Sequence, residues 1–445
     1  MNRYMLRAVY AMFAVTMAGI ALYPLARTAA SAEPANAKPV TVSADSALIS
    51  RGEYLAKLGD CAGCHTATKS AAFAGGLNLN APFGAIYSTN ITPDPKSGIG
   101  RYSYADFERA LRDGVAPGGK HLYPAMPYPS FSKITDEDMH ALYAYFMHGV
   151  QAVSSQPPET KLPFPFNQRW GLALWNAAFV PHKRFTPDDD RNIQWNRGAY
   201  IVQSIGHCGA CHTPRGSALQ ERGYDETSGS YLTGGLNDNW FAPNLTGDSG
   251  SGLGRLSEHD IMSFLKTGHG RDLHVVAFGA MVPVVEHSTQ YFNDVDLQAV
   301  AHYLKSLPAR NVSGAYTPDA AQARQANSSV KTGDVGRPGA GLYMSFCVKC
   351  HQADGRGEPL KFPALQGNPA VLAPDTTSLI RILLEGGRSP TTLTGPREHK
   401  MHAYDDQFTD TEIARVLTFV RNSWGNQASP VTTRDVSGLR AELAK

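Results

Sequence analysis

An all-α protein of three tandem domains joined by linkers is predicted for this chain, and three observations carry the prediction. The pentapeptide Cys-x-x-Cys-His stands at Cys61–His65, Cys208–His212 and Cys347–His351, and the 445 residues hold no other cysteine. A Gly-x-Tyr precedes each copy, at Gly52–Tyr54, Gly198–Tyr200 and Gly341–Tyr343. Each copy is followed by apolar residues at i, i+3, i+4 and i+7, the spacing of a helix with one buried face, and almost no stretch alternates as a strand does. A repeat at this scale sets the architecture before any single element does.

The pentapeptide also sets the chemistry. Cys-x-x-Cys-His is the attachment signature of c-type haem. The two thiols form thioethers to the porphyrin vinyl groups, and the adjacent histidine lies under the iron. A structural zinc site needs four ligands, hence two Cys-x-x-Cys pairs close together, whereas these copies stand well over a hundred residues apart. A thiol–disulfide pair does not need the histidine that all three copies carry. The sequence therefore predicts three covalently bound haem c groups on Cys61, Cys64, Cys208, Cys211, Cys347 and Cys350. His65, His212 and His351 become the proximal iron ligands, and the three domains become cytochrome c domains.

Taken in order, residues 1–32 read as an export signal. Arg3 and Arg7 precede an uncharged apolar run, Ala8 to Leu25, and Ala30-Ser31-Ala32 supplies a small-residue cleavage site. An uncleaved anchor is the alternative, against which Gly19, Pro24 and that cleavage site weigh. Residues 44–152 form the first domain. After its haem motif come Asn90-Ile-Thr92, then a helix capped by Ser103-x-x-Asp106 that ends near Gly114. Thr135-x-x-Asp138 caps the closing helix, with the stripe Met139, Leu142, Tyr143, Phe146 and Met147.

Residues 153–190 are a linker of a special kind, carrying Phe164, Phe166, Trp170, Leu172, Leu174, Trp175 and Phe179. Two readings stand: a strap packed on the core, or an interfacial contact with a membrane or partner, since Trp and Phe beside Arg169, Lys183 and Arg184 suit a headgroup boundary. Residues 191–310 repeat the first domain, with Asn244-Leu-Thr246, Ser257-x-x-Asp260, Gly268 and a closing helix from Asn293-x-x-Asp296. The Asn-x-Thr triplets match the glycosylation sequon but are read as turns. Residues 311–335, poor in large apolar side chains, read as a flexible linker. Residues 336–425 form the third domain, closing on a helix from Thr409-x-x-Glu412, and 426–445 a tail.

A haem that only carries electrons needs its sixth position filled, and methionine there raises the potential. Beyond the export segment the chain has seven methionines. Met139 and Met147 belong to a buried stripe, Met262 to a helix, and Met344 lies too near its own motif to cross the ring. Met126, Met281 and Met401 remain as distal ligands, one per domain, each in a loop before the closing helix. Met401 sits in His399-Lys-Met-His402, so either histidine is an alternative ligand there.

Charge and motif content exclude other classes. Cleavage after Ala32 would remove Arg3, Arg7 and Arg27 and no acid, turning a formal +2 into −1, which offers nothing to nucleic acid. No nucleotide-binding glycine fingerprint, Walker motif or nucleophile elbow is present. No catalytic residue is predicted. Beyond the export segment no apolar run is long enough to span a membrane as a helix.

With these residues in place the chain resembles the triple-haem cytochrome c subunits of membrane-bound periplasmic alcohol dehydrogenases and of flavin-dependent gluconate and polyol dehydrogenases. The likeness covers nearly the whole mature chain, including Arg51-Gly-Glu-Tyr54, Tyr87-Ser-Thr-Asn-Ile-Thr-Pro93, Tyr123-Pro-Ala-Met-Pro-Tyr128, Gly206-His-Cys-Gly-Ala-Cys-His-Thr-Pro-Arg215 and Arg421-Asn-Ser-Trp-Gly-Asn426. The resemblance implies a separate catalytic subunit, holding pyrroloquinoline quinone or flavin, that oxidises the substrate on the periplasmic face of the cytoplasmic membrane. Electrons then cross three haems here and leave to ubiquinone. It also implies the same proximal and distal ligands. Such sequences often carry proline directly after the third methionine, where this one has His402. Two other classes fit the haem motifs: a multihaem peroxidase-like enzyme, which needs one open iron position, and a soluble periplasmic electron shuttle.

Overall fold

A computed structural model describes residues 45–318, 320–332 and 336–444; the expected export segment lies outside them. The first repeat opens on α1 (Ser46–Leu58), capped by the Asp45 side chain, and turns at once into α2 (Cys61–His65). The hairpin β1 (Asn78–Ala81) and β2 (Gly84–Tyr87), α3 (Tyr104–Asp113), the pair β3 (Val115–Ala116) and β4 (Lys120–His121), and α4 (Asp136–Ala144) follow. The strap contains α5 (Gly171–Phe179). The second repeat keeps the order of the first: α6 (Ile193–Gln203), α7 (Gly209–His212), β5 (Gly235–Asn237) with β6 (Trp240–Ala242), α8 (Glu258–Thr267), α9 (Met281–His287) and α10 (Asp294–Ser306).

After β7 (Ala315–Tyr316) comes α11 (Ala320–Thr332), inside the segment expected to be a flexible linker. Its Ala326 and Val330 are buried in the core of the third repeat, which orders it. That repeat comprises α12 (Ala340–Phe346), α13 (Val348–His351), α14 (Thr377–Glu385), β8 (Gly387–Arg388) paired with β9 (Lys400–Met401), and α15 (Asp410–Arg421). The expected tail is ordered too. β10 (Asn426–Gln427) pairs with β7, and α16 (Thr433–Leu443) lays Val436 and Leu439 into the same core. Helices dominate, with five two-stranded antiparallel pairs among the described residues that sequence periodicity did not announce. Pairs of two to four residues per strand are too short to show a period-2 pattern.

The predicted caps form. Ser103, Ser257 and Thr409 make reciprocal capping boxes with Asp106, Asp260 and Glu412, while Thr135 and Asn293 accept the N–H groups of Asp138 and Asp296. Gly114 and Gly268 end α3 and α8 in the left-handed region, which glycine enters without strain. The Asn-x-Thr triplets are turns: Asn90 and Asn244 are buried, and each side-chain oxygen accepts the N–H of Thr92 or Thr246.

The glycine of the Gly-x-Tyr pattern has a packing cause in two repeats. A Cβ on Gly52 would stand 2.0 Å from the Ala141 carbonyl oxygen, and one on Gly198 2.0 Å from that of Ala299, so α1 crosses α4, and α6 crosses α10, backbone to backbone. In the third repeat the close approach is made by Gly339, against the Arg415 carbonyl, two residues before the Gly341 that the Gly-x-Tyr pattern marks. Apolar burial then divides the molecule unevenly. Leu55, Ile134 and Leu142 of the first repeat share one continuous core with Ile201, Val202 and Leu304 of the second, whereas the third repeat has a core of its own around Tyr343, Leu383, Ile413 and Trp424.

Candidate functional site

Each Cys-x-x-Cys-His forms a single helical turn a short step after an N-terminal helix. In all three the histidine Nδ1 faces a backbone carbonyl: His65 on Thr89 O at 2.7 Å, His212 on Pro243 O at 2.7 Å, and His351 on Pro363 O at 2.9 Å. A carbonyl can only accept, so Nδ1 carries the proton and Nε2 keeps its lone pair. Burial lowers the pKa of all three rings, against a smaller opposing pull from the carbonyl, and so favours the neutral imidazole that binds metal. The same contact fixes the ring plane. Thr89, Pro243 and Pro363 are orienting residues that sequence reasoning missed, because each lies 12 to 31 residues from its histidine.

The six cysteines are free thiols. Burial is the leading cause that pushes Cys61, Cys64, Cys208 and Cys347 up to about 12 and also raises Cys211. A thiol held protonated is a poor zinc ligand, since the thiolate is the form that binds metal. Among the described residues no cluster of three or more His, Cys, Asp or Glu side chains could hold a metal ion by itself. Paired thiols on one turn beside an oriented neutral imidazole fit covalent haem, with iron on Nε2.

The predicted distal residues, all expected in loops, fall in three different settings, and two of them lie in regular elements. Met126 is half-buried against the shared core, Met281 is the first residue of α9, and Met401 in β9 packs on the core of the third repeat. His402 is exposed. The His399 ring lies 5.4 Å from that of Phe362, the residue before the carbonyl that orients His351. The loop carrying Met401 thus meets the segment that holds the third histidine. Met139 is fully buried in the core, as its stripe position predicts.

Two further residues precede the first two motifs directly. Asp60 and His207 both take left-handed backbone, φ 47° and 38°. His207 Nε2 lies 3.2 Å from the Gly59 carbonyl, so the second motif rests on the first. Asp60 has a buried oxygen with no partner, and burial raises its carboxyl to about 7, partly opposed by the Gly63 N–H. Burial, then Asp60, then Cys211 of the second repeat raise the Cys64 thiol, which puts the two attachment turns within electrostatic reach. Burial also raises Glu221, beside Gly209, to about 7.

The cytochrome c family model matches residues 49–149 and 337–424. The alcohol dehydrogenase (quinone) cytochrome c subunit of Gluconacetobacter polyoxogenes is 47% identical over 431 residues, covering 96% of this chain and 89% of that protein. The gluconate 2-dehydrogenase cytochrome c subunit of Pantoea cypripedii is 45% identical over 406 residues, 90% of this chain and 91% of that protein. The fructose dehydrogenase cytochrome subunit of Gluconobacter japonicus is 39% identical over 439 residues, 94% and 87% respectively. Turns bearing paired thiols and an oriented imidazole, together with likeness over nearly the full length, place this chain in the family of dehydrogenase cytochrome c subunits.

Proposed function

We propose that this chain is the electron-transfer subunit of a periplasmic alcohol, gluconate or polyol dehydrogenase and passes electrons from the catalytic subunit to ubiquinone. Its three repeats are read as three all-α cytochrome c domains, each with one covalent haem c. The carrying observation is the threefold recurrence of a histidine Nδ1 on a backbone carbonyl, which recurs in the second repeat although the family model matches only the first and third. Bound haem c would supply one-electron redox chemistry. The cysteines would tether it, and its iron would be held by Nε2 of His65, His212 and His351 and by the thioethers of Met126, Met281 and Met401, methionine being the ligand that raises the potential. The carbonyls of Thr89, Pro243 and Pro363 hold the imidazoles in register and increase their basicity.

Intact mass of the exported protein tests the reading: it should exceed that of the processed chain by three haems, and two or fewer would sink it. Met401→Ala should remove the methionine–iron charge-transfer band of one haem; if instead His402→Ala changes that haem's spectrum and Met401→Ala does not, the third assignment is wrong.

Delivery to ubiquinone requires contact with the bilayer, and among the described residues no helix is long and apolar enough to cross one. The strap is the proposed contact. Its inner side is clipped down: Trp175 Nε1 donates to Ala218 O at 2.9 Å, and buried Asn176 accepts from Tyr128 OH and donates to Asp113 O. Its outer side leaves Phe164, Trp170 and Leu174 72%, 56% and 57% exposed, and no charged residue occurs from Trp170 to Pro181. An exposed aromatic cluster on a rigid base suits the interfacial region of a membrane.

A further inference from the structure

The first two repeats are joined by a pair of crossed interactions that their sequences repeat term for term. In the first repeat Arg51 binds the buried Asp138 carboxylate through Nε at 2.8 Å and Nη2 at 2.6 Å. In the second, Arg197 binds buried Asp296 through Nε at 2.7 Å and Nη2 at 2.8 Å. The third partner of each carboxylate comes from the other repeat. Tyr54 donates to Asp296 at 2.7 Å and accepts the Asn293 N–H at 3.1 Å; Tyr200 donates to Asp138 at 2.6 Å and accepts the Thr135 N–H at 3.4 Å. Each tyrosine thus meets the N-terminal cap of the other repeat's closing helix, and the two halves are related by a local pseudo-twofold.

These tyrosines sit on α1 and α6, the helices that precede the first and second attachment turns, α1 by two residues and α6 by the short segment 204–208. The turns themselves touch, through His207 on the Gly59 carbonyl, and α9 with Met281 at its start packs on α2 of the first repeat. Among the described residues the third repeat's Gly-x-Tyr makes no such clasp. Its counterpart Tyr343 is fully buried and donates to Gln352 O of its own repeat, and Ala340 stands where the others have arginine.

We propose that Tyr54 and Tyr200 are positioning residues: their crossed hydrogen bonds to Asp296 and Asp138 fix the first and second attachment turns against each other, so that the first two haems form one interacting pair from which the third stands apart. The inference rests on the three-haem reading above. A buried carboxylate bridging an arginine and a tyrosine costs more to break than a surface pair, because each lost partner leaves a desolvated group unpaired. The phenylalanine variants keep the ring packing and remove only the crossed bond.

The test compares the holoprotein with Tyr54→Phe, Tyr200→Phe, the double variant and Tyr343→Phe, after a haem count on each. Three haems in every variant leaves the three-haem reading intact and makes the following outcomes decisive. Pulsed dipolar electron spin resonance on the oxidised protein should show one narrow first-to-second haem distance that broadens in either single variant and more in the double. Redox titration should shift the midpoints of those two haems together, with the third unchanged. Tyr343→Phe should move the third alone. Unchanged distance and midpoints in the tyrosine variants would overturn the proposal, as would equal shifts in all three haems, the sign of general loosening. If the double variant does not fold, the two single variants decide, since the pseudo-twofold requires the same effect from each.

Discussion

The first two repeats and the third are built to one plan and joined to the molecule by different physics. Between the first and second, apolar side chains run without interruption from Leu55 to Leu304, and buried Asp138 and Asp296 are each shared with a tyrosine of the other repeat. Buried Lys133 adds a tie, reaching from the first repeat to Gln203 Oε1 and Tyr224 O of the second. The third repeat meets the second mainly through polar and half-exposed contacts. Arg388 pairs with Glu286 of α9, the Thr391 and Leu393 N–H groups bond Glu286 and Gln290, and Arg381 lies 4.5 Å over the Trp240 ring. The fused pair should unfold as one unit, because its two halves share one core while the third repeat carries its own. This corrects a simple reading of linkers between three independent domains.

The largest effect that sharpens the contrast is expected from Trp424→Ala. Trp424 is fully buried in the third core and its Nε1 donates to Ala353 O at 3.0 Å. Its truncation should cost about 3–5 kcal/mol. Differential scanning calorimetry should show only one transition moving, with the transition of the fused pair in place; a uniform downward shift would mean the three repeats form a single cooperative unit.

Asp60 gives the pair a pH signature that the third repeat lacks. Its folded pKa, about 7, lies above the ordinary carboxyl range, so the fold holds the proton more tightly than the open chain. The associated stability is complete at low pH and is lost as pH rises from near 4 to about 7. Asp60→Asn removes the ionised form, so the variant should match the parent at pH 4 and exceed it at pH 8, by about 2 kcal/mol or more for a shift of this kind. Denaturant midpoints of the fused pair at the two pH values check it, and an equal gap at both would show that Asp60 stays ionised throughout.

Smaller still is the expected cost of Arg388→Ala, about 1 kcal/mol for a partly exposed pair. It should loosen the third repeat from the second without unfolding either, seen as faster amide exchange in 387–401 that added salt reproduces in the parent. The least effect on folding, essentially none, is expected when Phe164, Trp170 and Leu174 are changed together to Ser. Their side chains leave the surface of the strap, so haem spectra and stability should persist while binding to phosphatidylglycerol-containing vesicles falls. Retained vesicle binding would make the strap a clip between the first two repeats and nothing more.

Local rules explain how much could be read in advance. The haem motifs, the five predicted N-caps, Gly114 and Gly268, the Asn-x-Thr turns and the stripes of α4, α10 and α15 all depend on residues within a few positions of one another. Helix α11 was missed because its alanine, glutamine and serine residues resemble a linker, and it is packing of Ala326 and Val330 that orders it. Gly341 and Tyr343 show the reverse error. Shortening α12 relative to α1 and α6 moves the close crossing to Gly339 and turns Tyr343 inward, although the letters of the motif are kept. Orienting carbonyls are invisible to composition, since every residue except in its N–H offers the same oxygen.

By itself the amino-acid sequence determined that this protein holds three Cys-x-x-Cys-His turns, each between an N-terminal helix and a capped closing helix. Those features follow from spacing along the chain, where one helical turn decides which side chains share a face. Only the tertiary structure decided that two of the repeats are one body and the third another. Tyr54 and Asp296 are 242 residues apart, Tyr200 and Asp138 are 62 apart, and no local pattern links them. They meet because a carboxylate buried at the end of a helix must replace the donors it lost with water, and beyond the arginine of its own repeat the further donor is a tyrosine of the neighbouring one.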